Sequence, residues 1–104
     1  MSLTVNEKDW KLFRRMLPIW QEAYMEKLVE EYKALLNSED KASSKFWALE
    51  KRIRKDKKNP GVLITDARRS NMEMLLRELL CFEVICPEDL NEFSPEIKSR
   101  LQEQ

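Results

Sequence analysis

Trp47, Lys51, Arg54 and Lys58 follow one another at intervals of four, three and four residues. On a helix that spacing gathers an indole and three cations on one side. Two chemistries suit the set. The indole can stack on a nucleic-acid base while the cations meet phosphates, or it can anchor a protein partner that has an acidic rim. A plainer arrangement needs no ligand: Trp47 packs on a neighbouring helix and the long cationic stems drape over its edge. Arg68 and Arg69 extend the basic patch if the following helix starts nearby.

Other chemistry is hard to assemble from this composition. With no histidine in the chain, Ser-His and Cys-His nucleophile pairs are excluded. Cys81 and Cys86 lack the further Cys or His ligands that a metal site needs, and two thiols five apart are no disulfide framework. They are expected to be structural. Arg77 precedes Cys81 by four residues, but Glu78 lies as close in sequence and opposes any activation of the thiol. Gly61 is the single glycine, so no phosphate-cradling loop can form. Acid pairs such as Glu30-Glu31 and Glu88-Asp89 point in different directions on a helix and read as solvated faces. The five methionines read as core filler. A non-enzymatic protein without cofactor or metal is expected.

Charge adds a constraint. Nineteen basic groups balance nineteen acidic ones across 104 residues, whereas a dedicated nucleic-acid binder carries a clear positive excess. The balance is uneven along the chain: net −1 over residues 1–44, +6 over 45–69 and −5 over 70–104. Opposed segments of this kind can neutralise one another within the fold or across a subunit contact. No apolar run approaches the length needed to span a bilayer, and "MSLTVNEKDW" has no signal-peptide pattern. A cytoplasmic setting is expected.

The elements that must position these residues are helices. Hydrophobic residues make up 42 % and charged residues 37 %, and the shortage of glycine disfavours hairpin-rich β structure. Over residues 6–36, Trp10, Phe13, Leu17, Trp20, Tyr24, Leu28 and Leu35 fall in one stripe at about 100° per residue. Lys11, Arg15, Glu22, Glu26 and Lys33 lie opposite. Leu12, Met16, Ala23 and Ala34 widen the apolar side beyond what a surface helix requires. Pro18 predicts a kink, or a short first helix with Pro18 opening the next. Ser38 with Glu39 and Asp40 predicts the start of a second helix over about 39–57, inward along Ala42, Phe46, Leu49 and Ile53 and stopped by Asn59-Pro60-Gly61. Its basic last turns suit the negative end of the helix dipole. "VLIT" reads as a connector. Thr65 or Asp66 is expected to cap a third helix to about 82, buried along Met72, Leu75, Leu76, Leu79 and Leu80. "VICPEDL" reads as a turn into one helical turn, and Ser94-Pro95-Glu96 opens a last short helix to about 102.

Taken together, "DWKLFRRMLPIWQEAYMEKLVEEY", "KFWALEKRIRKDKKNPGV" and "DLNEFSPEI" resemble a family of short, uncharacterised bacterial all-helical proteins. The likeness covers nearly the whole chain. Members are sometimes labelled multidrug transporters, a label this sequence does not support because no segment can cross a membrane. The resemblance implies an all-helical fold and brings no activity, ligand or site residue.

The expectation is a single all-α domain over 1–104, a small bundle of about four helices with a long, Pro-kinked N-terminal helix. The first helix offers more apolar surface than four short helices can cover. A protein–protein interaction or regulatory module that self-associates as a homodimer is therefore expected. The alternative is an accessory nucleic-acid binder using the basic side of the second helix. A third option is a regulatory domain that holds an apolar ligand between helices.

Overall fold

The computed structural model describes residues 6–102. Four helices follow in order: α1 (Glu7–Leu36), α2 (Ala42–Asp56), α3 (Met72–Cys81) and α4 (Pro95–Gln102). Single 3-10 turns at Arg69–Asn71 and Pro87–Leu90 precede α3 and α4. There is no strand among the described residues.

α1 starts where the side chain of Asn6 accepts the Lys8 backbone N–H at 2.8 Å, with Glu7 and Asp9 in the first turn against the positive helix end. It does not divide at Pro18. Losing one N–H removes only the bond to the Arg14 carbonyl, and both residues are exposed, on the side where water can satisfy that oxygen. The helix runs on for 30 residues, about 45 Å at 1.5 Å per residue. This rod sets the shape of the molecule, 58 × 26 × 24 Å. The radius of gyration is 16.8 Å, against about 13 Å for a compact chain of this length.

One apolar core sits around the first half of the rod. Trp10, Phe13 and Trp20 pack with Met72, Leu75, Leu76 and Leu79 of α3, then Ile85, Leu90 and Phe93, and finally Ile97 and Leu101 of α4. Phe13, Met72, Leu76 and Leu79 are completely enclosed. Trp10 stacks on Phe13 at 5.9 Å between ring centroids, and Trp20 on Phe93 at 6.3 Å. The indole N–H of Trp20 meets no acceptor among the described residues, so burial and the Phe93 stack hold it in place. Asp9, also buried, closes this head from below. Its carboxylate accepts the Ser94 backbone N–H at 2.9 Å and the Ser94 hydroxyl at 2.6 Å. The start of α4 is thereby fastened to the start of α1, with Pro95 in the first turn as its sequence requires.

Two helix starts differ from expectation. α2 begins at Ala42 behind Lys41, which makes no side-chain cap. Residues 37–40 instead make the reversal after α1, with the Asn37 and Ser38 N–H groups bonded to the Lys33 and Leu35 carbonyls. α3 begins at Met72, later than Thr65 or Asp66 would place it. Asn71 ties the approach, accepting the Arg68 N–H at 2.8 Å and donating to the Asp66 carbonyl at 2.7 Å. That local bonding competes with helix at these positions. The expected burial of α3 holds at Met72, Leu75, Leu76 and Leu79, with Leu80 half-buried.

The second half of α1 leaves this core and pairs with α2 alone, forming a helical hairpin that projects from the head. Asn59-Pro60-Gly61 is the joint. Gln21 donates to the Pro60 carbonyl at 2.9 Å, and Asn59 donates to the Tyr24 hydroxyl at 3.0 Å. A β-carbon on Gly61 would lie 2.5 Å from the Tyr24 ring and 2.7 Å from Val84, so glycine is required here by close approach rather than by backbone torsion.

Candidate interaction surface

The hairpin is tied by polar groups alongside Leu28, the apolar side chain buried in this half of α1, with Leu35 and Leu49 half-buried. The Tyr32 hydroxyl donates to Asp56 Oδ2 at 2.5 Å, Arg52 Nε donates to the same oxygen at 3.1 Å, and Arg52 also pairs with Glu31. The Arg52 guanidinium lies 5.6 Å from the centre of the Tyr32 ring. Asp56 is the only buried residue of α2. Tyr32, Arg52 and Asp56 were not singled out by pattern, and Glu31, expected on a solvated face, pairs with Arg52 instead. The available signal was Asp56 itself, the sole acid among residues 51–58, four residues after Arg52.

Burial, then the hydrogen bond to the Asp56 carboxylate, pushes the Tyr32 hydroxyl up to about 12 from an ordinary 10. A group raised in the folded state contributes stability that is complete below its unfolded pKa and lost as pH climbs through the folded value. The hairpin is therefore expected to hold to about pH 10 and to weaken between about 10 and 12. Ultraviolet tyrosinate titration alongside helical circular dichroism checks this. In the Tyr32→Phe variant the late tyrosinate step disappears.

The expected inward face of α2 is corrected by the structure. Ala42 and Phe46 are exposed, Phe46 by 62 %, Leu49 is half-buried, and Ile53 is 39 % exposed. The reason is reach: the core lies around the first half of α1, and only the second half of that helix runs beside α2. Trp47 is 63 % exposed, its ring meeting Phe46 edge-on at 4.9 Å. It does not pack on another helix.

The open apolar groups share one flank. Passing round α1 from Glu31 to Tyr32, the next side chains are Met25, Leu36 and Val29, within about 40° of one another. Passing round α2 from Arg52 to Asp56, the next are Ile53 and Phe46. Glu31 pairs with Arg52 and Tyr32 with Asp56, so the two circuits run in matching order. Arg52 and Glu31 shut one flank. Val29 (49 % exposed), Leu36 (43 %), Phe46 and Ile53 line the other, with half-buried Met25. The head core, centred on Trp10, Phe13 and Trp20, takes a different side of α1 and leaves this flank clear.

The six residues that the sequence singled out are divided. Trp47 and Lys51 are exposed on α2, and Lys51 makes no ion pair among the described residues. Arg54 donates to Glu50 one turn earlier, with Nε at 3.1 Å, which cancels much of its field. Lys58 turns toward a groove it shares with Leu63, Ile64 and Met74. Arg68 pairs with Asp66 at 2.9 Å. Arg69 pairs with Glu7 at 2.8 Å and lies 5.6 Å from the Trp10 ring centre. Glu7 opens α1, while Tyr32 and Asp56 meet 25 residues further along it, roughly 37 Å away. Arg68 and Arg69 therefore do not extend the α2 patch.

Both thiols are free and exposed. The carboxylates of Glu88 and Asp89 hold the Cys86 proton and push its pKa up, with Sγ 3.3 Å from Asp89, the opposite of what a nucleophile needs. No group of three or more His, Cys, Asp or Glu among the described residues could hold a metal. No described helix is long and apolar enough to cross a membrane. Comparison with protein-family models, with curated proteins and with solved structures gives no match.

Proposed function

We propose that this chain is a protein-interaction module that self-associates through the open flank of the α1–α2 hairpin. One observation carries the reading: a 15-residue helix buries no apolar side chain within its own subunit, its single buried residue being Asp56. Helices of this length are marginal in water without a packed face. Phe46 and Ile53 on α2 and Val29 and Leu36 on α1 supply such a face when another apolar surface covers them. A two-fold contact of this kind uses the same flank twice.

Size-exclusion chromatography with light scattering tests it. The expected mass at high micromolar concentration is twice 12.5 kDa. Phe46→Asp is expected to return the protein to one subunit with its helical signal intact, since Phe46 is mostly exposed in the isolated chain. A wild-type protein that stays monomeric contradicts the reading.

Trp47 and Lys51 favour the second reading, nucleic-acid binding, because an exposed indole beside an unpaired cation suits base stacking with phosphate contact. That reading expects a monomer that binds single-stranded DNA or RNA at low salt, with affinity falling steeply as salt rises and lost in Lys51→Glu.

A further inference from the structure

Resting on the self-association reading, we infer how the two copies meet: their hairpins face each other across a two-fold axis running along the hairpin, with α1 of each protomer beside α2 of its partner. The four helices then form a bundle whose neighbours are all antiparallel.

The argument is the order of charges along the two rims of the open flank. Around α1, just beyond the apolar stripe and away from α2, stand Glu22, Glu26 and Lys33 in order outward from the head. Around α2, just beyond Phe46 and Ile53, stand Lys57, Arg54 and Glu50 in the same outward order. The first rim reads negative, negative, positive, and the second positive, positive, negative. A two-fold axis along the hairpin keeps heights equal and lays the first rim on the partner's second. Asn59 bonds Tyr24 and Arg52 pairs with Glu31, so Lys57 stands near the height of Glu26 and Glu50 near that of Lys33, with Arg54 between them.

The groups are free to engage. Glu22, Glu26 and Lys57 are exposed and make no ion pair among the described residues. Lys33 and Arg54 are held only by exposed pairs to Glu30 and Glu50 on their own helices, contacts that contribute little and can be exchanged. Along the first rim, Glu22, Met25, Glu26, Val29 and Glu30 already line a shallow groove.

Charge reversal tests the arrangement by sedimentation equilibrium. One variant carries Glu22→Lys and Glu26→Lys, the other Arg54→Glu and Lys57→Glu. All four residues are exposed, and circular dichroism confirms that each variant keeps its helices. Each variant alone is expected to dimerise about tenfold or more weakly than wild type, because both rim contacts become repulsive. Their equimolar mixture is expected to regain wild-type affinity to within a few fold, since both contacts are then opposite in sign. If wild type dimerises but the variants match it, or the mixture recovers nothing, this arrangement is overturned while self-association stands. A monomeric wild type overturns both.

Discussion

Phe13→Ala is expected to cost about 3–5 kcal/mol, the range for truncating an enclosed aromatic. Phe13 has no exposed surface, stacks on Trp10 and belongs to the cluster shared by α1, α3 and α4. Few alternative contacts are available. The head has only one core, and the helices around the site are tied by the Asp9–Ser94 bonds, so the cavity cannot readily close. For a domain near this size each kcal/mol moves the melting temperature by about 4–8 °C, and a fall on the order of 20 °C follows. Differential scanning calorimetry measures it. A change below about 1 kcal/mol would contradict the assignment of the core.

Asp56→Ala is expected to act elsewhere. It removes the acceptor shared by Tyr32 and Arg52 and leaves a phenol and a guanidinium without their partner, a loss of about 2–3 kcal/mol for bonds to a charged group. No apolar side chain of α2 is fully buried and the head core includes none of them, so the effect is expected to be local. Hydrogen exchange is expected to show amides of Ala42–Asp56 losing protection while those of Met72–Cys81 keep theirs. Asp56→Asn retains one acceptor and should fall between the two. Equal loss of protection in head and hairpin would show that they unfold as one unit.

The hairpin and the head were unequally legible in the sequence. In the head, apolar spacing on α1 and α3 named the buried residues almost one for one, and Ser94-Pro95-Glu96 marked α4 to the residue. On α2 the same spacing rule selected Ala42, Phe46, Leu49 and Ile53, and three of the four are exposed. A helical pattern reports which face is apolar. It does not report whether another element of the same chain reaches that face. Here the covering elements, α3 and α4, are too short and too near the head to do so.

Sequence alone determined the class of the molecule: four helices, a long first rod, no strand-forming pattern, and the stop at Asn59-Pro60-Gly61. These follow from side-chain periodicity and backbone preference, which act within a turn or two of the chain. Tertiary structure alone decided that Asp56 lies buried under Tyr32, that Arg69 serves Glu7 rather than the α2 patch, and that Phe46 and Trp47 stand in solvent. Each of those depends on which distant segment arrives alongside, and pairings 24 to 62 residues apart are set by the packing of whole helices and not by local spacing.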